Sequence, residues 1–472
     1  MMHEMIYQYP RGAGVECKYI VDWVFGEIFG MTIECNESEG ENHRLQLVGD
    51  LQSELNLTDV FFFLTQDEWL SEECLPGTPL PVVPLADFLP ECIESTGQTD
   101  IPILYGNKNI SRGLYQQNGG KGTLEIDIVG SLFFLMSRYE EAVLDESDEH
   151  DRFPSSASIL GKSGLLDRAI GNEYIEILWA AMKRVWPELV RKPREFRILP
   201  SHDIDYPSSY WGQTAVGHLR VAAGAMKRGS PLMGIKHLWN ALRYPKIDWS
   251  SDPVETIDWI MDLSERCGLK SAFYYIPEQT DETRDFGMPI DHPQVEAQWR
   301  RIHGRGHEIG LHPGYQTCNQ AESIQGAALV LRRQMKKLGI EQNVLGGRQH
   351  YLRWDPLKTA SAWEASGMDY DSSMAFASEC GFRCGICYEF PMYDLAARRP
   401  LKLRQRPLVL MECSLTDEKY MGKGTGDVAF ATALKLKKEC QKYNGDFTIL
   451  WHNQRLVKKE ERELYARILT EE

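Results

Sequence analysis

The sequence predicts an α/β protein in two parts, with a smaller α/β unit over residues 1–190 and a barrel or doubly wound sheet over 195–472. Three observations carry this expectation. From residue 195 onward, apolar strand-like runs alternate with helical patterns over about 275 residues, the signature of strand–helix units around one sheet. Five of those runs end on polar residues: HDID, HEIGLH, RQH, YDSS and HN. In α/β barrels and open sheets, the carboxyl ends of the strands converge on one face, where ligands bind. The segment Lys192–Phe196 (KPREF) separates the two parts, since Pro193 disfavours continuing the preceding helix.

In the first part, TDVFFFLT (Thr58–Thr65) and TLEIDIV (Thr123–Val129) read as strands, the second by its period-two alternation. SLFFLMSRYEEAV (Ser131–Val143) and NEYIEILWAAMKRVW (Asn172–Trp186) read as helices, with apolar residues three and four apart. The charged DESDEHDRFPSSAS between them reads as a surface loop. In the second part the strand candidates are FRILPSHDID, SAFYYIP, HEIGLH, NVLGGRQHY, MDYDSSM, YEFPMYDL, LVLMECSL and FTILWHN. PVETIDWIMDLSERCG (Pro253–Gly268) reads as a helix with Ser251 or Asp252 as cap and Pro253 in its first turn. A helical insertion, about 206–249, follows the first strand. Its basic pieces HLRVAAGAMKRG and IKHLWNALRYPK suit a solvated lid or a cap contacting an anionic or lipid-linked sugar.

Composition bounds the function. The chain has 472 residues and a net charge of −16, with 43% hydrophobic and 25% charged residues. That is globular composition, and the acidic balance argues against a nucleic acid or an anionic membrane as partner, because the chain as a whole offers no broad positive field. The longest apolar runs, VFFFL and SLFFLM, are too short to span a bilayer. Eleven cysteines without a dense framework read as reduced thiols. With no export signal visible, they point to the cytoplasm. Cys380, Cys384 and Cys387 (C-x3-C-x2-C) lack a nearby fourth ligand and read as buried thiols rather than a metal motif.

Asp203 and Asp205 flank Ile204 on a strand, so both carboxylates face one way. Such a pair can divide labour, one acid on a metal and one accepting a proton from water; otherwise the two are solvated turn acids. HEIGLH separates its histidines by five positions and carries flanking glycines, which excludes a zincin helix. His202 should point away from Asp203. His452 ends the last apolar strand.

The order HDID, HEIGLH, GGRQHYLR, YDSS, LWHN resembles the polysaccharide deacetylase (NodB-homology, carbohydrate esterase family 4) domain over residues 195–472. The resemblance implies a distorted (β/α) barrel and metal-assisted removal of an acetyl group from an N-acetylated sugar of a polysaccharide or its precursor. It implies Asp203 as general base, Asp205 and His312 as ligands of a divalent metal, zinc first, and His307 as a structural histidine. It also implies Arg348 as the holder of Asp203, His452 as general acid, and an acid supporting His452, with Asp371 preferred over Asp369. The family's second metal histidine falls at Gln316 here. His350, on the adjoining strand end, is the candidate replacement; the other outcome is a site that binds metal poorly. Arg353 could serve a substrate, and Tyr206, Trp211, Tyr351 and Trp354 could stack on sugars. The first part resembles a small uncharacterised domain that accompanies such deacetylases. An amidohydrolase acting on a small C–N substrate and a silent carbohydrate-binding scaffold are the alternatives, because fold does not fix function.

Overall fold

The computed structural model describes residues 3–471 apart from 66–67, 108–109, 111–112, 228 and 248; Arg228 and Asp248, part of the expected insertion, therefore lie outside the described residues. Residues 4–124 carry a six-stranded sheet of β1 (Glu4–Pro10), β2 (Thr32–Ser38), β3 (His43–Leu47), β4 (Asp50–Leu57), β5 (Tyr115–Asn118) and β6 (Lys121–Leu124). Its spatial order is β2-β1-β3-β4-β6-β5. Helix α1 (Gly14–Val21) connects β1 towards β2, while α2 (Ile128–Ser137) and α3 (Ile170–Val185) follow the sheet.

Three expectations about this part change. Thr58–Thr65 is not a strand, because Phe61–Thr65 is helical. Asp127 accepts the amides of Val60 and Phe61 at 2.9 and 2.8 Å, and Asp59 accepts that of Phe62 at 3.1 Å. Acceptors placed there cap a helix start, which run hydrophobicity alone does not reveal. Thr123–Val129 is strand only to Leu124; Asp127 then caps α2 through the Gly130 amide at 2.7 Å. The helix expected over Ser131–Val143 breaks at Arg138 (φ 56°), whose guanidinium turns inward to bond Glu140 and Glu141 at 2.7 and 2.8 Å.

The second part is built on nine strands: β7 (Arg197–Ile204), β8 (Ala272–Tyr275), β9 (Glu308–Leu311), β10 (Gly346–Gly347), β11 (Tyr370–Asp371), β12 (Phe390–Asp394), β13 (Arg399–Gln405), β14 (Leu410–Met411) and β15 (Asp446–Leu450). Their order is β12-β13-β11-β10-β9-β8-β7-β15-β14. Every pairing is parallel except β12 with β13. Parallel strands need crossovers, and helices such as Pro293–Gly304 and Ala321–Leu338 supply them. Among the described residues no ladder joins edge strands β12 and β14, so the sheet is open rather than a closed barrel. Strand β13 was not expected, and the helix expected from Pro253 begins at Ile257. Asp252 instead accepts the hydroxyls of Ser208 and Ser209 at 2.5 and 2.6 Å. The insertion forms a hairpin of α4 (Ala215–Lys227) and α5 (Pro231–Arg243).

One apolar cluster runs continuously through both parts. At their junction the Tyr19 hydroxyl donates to Pro391 O at 2.6 Å, and Phe133 meets Tyr393 edge-on at 4.9 Å. Glu141 receives both Arg138 and Arg383, all three buried. Among the described residues, no helix is long and apolar enough to cross a membrane.

Candidate active site

Strand register decides which side chains meet. In the parallel ladders Ile204 pairs with Tyr275, Tyr275 with Leu311, Leu311 with Gly347, Ser201 with Leu450, and Met411 with Leu450. The residues just past these positions, Asp205, His312, Arg348, Glu412 and His452, therefore emerge at one end of the sheet. Asp205, His312 and His452 border a cleft of about 240 Å³ that also receives His350, Tyr206, Phe286 and Tyr351, while Arg348 and Glu412 bond His312 and His452 from behind.

Asp205, His312 and His350 form a group whose ligand atoms all lie within 4.8 Å of one another. His312 Nε2 stands 3.3 Å and His350 Nε2 3.7 Å from Asp205 Oδ1. Each imidazole is oriented from behind. His312 Nδ1 donates to Arg348 O at 2.6 Å, and His350 Nδ1 donates to Asp285 Oδ1 at 2.8 Å. Both rings thus turn Nε2 towards Asp205, with Nδ1 engaged from behind, the orientation that metal-binding histidines adopt. Asp205 Oδ1 and His312 Nε2 are buried and have no hydrogen-bond partner, although they face each other. Burial alone would raise the Asp205 carboxyl, but the imidazoles of His350, His312 and His452 hold it well below the usual range. Two orphaned buried atoms aimed at one point, flanked by a second imidazole, fit a divalent cation.

Asp285 is anchored as firmly. Besides His350 it accepts the Tyr315, Thr280 and Asp281 amides and the Thr280 hydroxyl at 2.7–2.9 Å. Burial would raise this acid, yet the His350 and backbone hydrogen bonds hold it down at about 2. Tyr351 and Leu352, neither a glycine, both take left-handed backbone (φ 60° and 57°), so the turn after His350 carries strain beside the cleft.

Asp203 is 3% exposed and lies on the same face as Asp205. Arg348 Nη1 donates to Asp203 Oδ1 at 2.7 Å. The remaining donors of Arg348 reach Ser201 Oγ at 2.8 Å, Ser372 Oγ at 3.0 Å and Ser372 O at 2.8 Å. A guanidinium held by four hydrogen bonds is a rigid clamp, and it fixes Asp203 with one oxygen, Oδ2, 3.7 Å from His312 Nε2.

His452 Nδ1 donates to Glu412 Oε1 at 2.5 Å, which leaves Nε2 facing the cleft, 3.5 Å from Asp205 Oδ2. Burial would depress this imidazole, but the Glu412 carboxylate and Cys413 hold its pKa well above the ordinary histidine value. The acid that orients His452 is therefore Glu412, and the assignment to Asp371 is corrected. Asp371 is fully buried and accepts the Ser373 hydroxyl and amide at 2.5 and 2.8 Å; burial pushes it up to about 6. Its side chain turns back into its own loop. Asp369 is likewise spent on the Leu345 amide.

Other expected residues are also placed. Gln316 is exposed and bonds Asp281, outside the ligand group. His307 accepts the Ser271 amide at 3.0 Å and bonds Glu265. His202 turns to the opposite face of β7 and bonds Trp451 O at 2.7 Å. Arg353 does not reach the cleft: it is occupied by Tyr315 O, His150 O and Asp151. Of the four aromatic candidates, Tyr206 and Tyr351 line the cleft, with Phe286 parallel to Tyr206 at 5.0 Å. Trp354 is core and Trp211 lies against His292. Cys380, Cys384 and Cys387 are buried free thiols. The segment expected as a surface loop before residue 158 begins irregular and partly exposed, and it also reaches the cleft, where Arg152, held by Asp148, joins Arg284 and Lys419 on the lining.

The family model described as a family of unknown function, DUF7033, matches residues 5–187. No curated protein matches the chain. Among solved structures, a chain from Mycobacterium smegmatis described as a polysaccharide deacetylase is similar at a TM-score of 0.38 and 11% identity, over 59% of this chain and 84% of that one.

Proposed function

We propose that this protein is a metal-dependent hydrolase that removes an acetyl group from an N-acetylated sugar of a polysaccharide or its precursor. The observation that carries the reading is the pairing of two separately anchored acid–base groups around one ligand group: Asp203 on Arg348 and His452 on Glu412, on either side of Asp205, His312 and His350. Two imidazoles and one carboxylate with open sides suit a catalytic divalent ion, zinc first. An ion held by Asp205, His312 and His350 would supply Lewis acidity at the amide carbonyl and acidify the attacking water. Asp203, held still by Arg348, accepts the proton of the attacking water. His452, whose protonated form Glu412 favours, donates from Nε2 to the departing nitrogen. His350 takes the ligand position that Gln316 leaves empty in the family pattern. Tyr206, Phe286 and Tyr351 offer rings to the faces of a sugar.

Acetate release from N-acetylated oligosaccharides and sugar nucleotides, measured beside release from simple acetamides, tests this. Turnover of a sugar substrate that disappears in Asp203→Asn supports the reading. Turnover of small amides alone would replace it with the amidohydrolase alternative.

A further inference from the structure

Residues 206–247 hold six lysines and arginines and no acidic residue, within a chain of net charge −16. They fold into the α4–α5 hairpin, and its side-chain pattern is inverted. The two helices meet on small and polar groups: Ala222, Ala225, Gly234 and Asn240 are buried between them, and His218 Nδ1 lies 3.0 Å from His237 Nδ1. The large apolar side chains point outward instead, with Leu232 77%, Leu242 79%, Ile235 57% and Trp239 52% exposed. A hairpin that only shields a cleft from water turns such residues inward. Exposed apolar surface concentrated on one element marks an interaction site.

We propose that this hairpin docks on the surface of an anionic lipid bilayer, with Leu232, Ile235, Trp239 and Leu242 in the headgroup region and the lysines and arginines on lipid phosphates. Charge selects this occupant. A second copy of the hairpin would bring lysines and arginines against lysines and arginines, with no acidic residue in 206–247 to offset them. A bilayer rich in anionic lipid offers complementary charge and an apolar interior together. Lys236 and Arg243 share α5 with the apolar residues, and the Arg243 guanidinium sits 4.5 Å above the Trp239 ring. Tyr244 and Trp211 add exposed aromatic rings of the kind that settle at headgroup depth. At 13 residues each, α4 and α5 are too short to span a bilayer, so they lie on it. The hairpin leaves β7 through Tyr206 on the cleft wall, and Asp252 pins its base through Ser208 and Ser209. Docking therefore holds the cleft mouth near the lipid surface.

The test is co-sedimentation of the full chain with phosphatidylcholine vesicles and with vesicles also containing phosphatidylglycerol. The proposal expects at least about tenfold tighter binding to the anionic vesicles, weakened by salt. Leu232→Glu/Trp239→Glu should abolish the binding with the melting temperature unchanged, because both side chains are exposed. Lys236→Glu/Arg243→Glu should remove the preference for phosphatidylglycerol and tests the proposal independently should the first variant fail to fold. No binding to either vesicle overturns the proposal, as does equal binding to both. A concentration-dependent dimer that Leu232→Glu/Trp239→Glu abolishes, without vesicle binding, overturns it in favour of a second copy.

Discussion

At the residue scale, the account separates groups that exchange protons from groups that hold them. Asp203→Asn should lower kcat by about 10²–10⁴-fold in the acetate-release assay while bound metal persists, since Asp203 bears on the attacking water and not on the ligand group. Glu412→Gln should cost about 100-fold or more in kcat with KM little changed, because a neutral amide no longer favours the protonated His452. An unaltered rate in Glu412→Gln would mean that His452 donates no proton. The convergence of Asp205, His312 and His350 was legible because each follows an apolar strand run or lies just past one. Glu412 obeys the same rule after Leu410–Met411, but LVLMECSL reads as one strand running past it, so it does not count among the polar strand ends. Asp371 also stands at a strand end, yet the Ser373 hydroxyl captures it locally, a contact that spacing does not disclose. Asp285 sits between Tyr275 and Pro293, where no periodicity points to it; only the approach of His350, 65 residues away, reveals its part.

At the element scale, the tight approach of β9 and β10 positions His312 and Arg348. A Cβ on Gly347 would fall 1.9 Å from Leu311 O, a backbone atom that cannot step aside. Gly347→Ala should therefore cost about 1–3 kcal/mol in a denaturant titration and lower activity through displaced Arg348. Within the first sheet, His43 on β3 is 0% exposed, its ring nitrogens have no partner, and burial lowers its pKa to about 3. The unfolded chain then takes up the proton first, near about pH 6.5. The contribution of neutral His43 is complete above that pH and declines as pH falls towards about 3. At about pH 5 the loss is about 2 kcal/mol, and His43→Leu should flatten the decline in melts run from neutral pH to pH 5. Long amphipathic stretches such as Ile170–Val185 were readable at this scale because their period repeats many times. Phe61–Thr65 was not, because Asp127, distant in sequence, caps it.

At the scale of the whole molecule, the two sheets share one apolar core, and Glu141 bonds Arg138 and Arg383 across their junction. Glu141→Ala should destabilise the entire chain by about 3–5 kcal/mol, since it leaves two buried guanidiniums without that partner. Circular dichroism and tryptophan fluorescence should report one coincident unfolding transition; two resolved transitions would show that the parts fold independently. The succession of strands apart from β13 was legible from alternation and polar strand ends, whereas openness of the sheet was not, because closure depends on edge pairing that no single strand encodes. The central claim is that Asp205, His312 and His350 hold a divalent ion. Elemental mass spectrometry of the purified chain, after equilibration with zinc and removal of the excess, tests it directly. The account predicts about one ion per chain in wild type, Asp203→Asn and Gln316→Ala, and loss of it in both His312→Ala and His350→Ala. An ion retained in His350→Ala, or none bound by wild type, would contradict it.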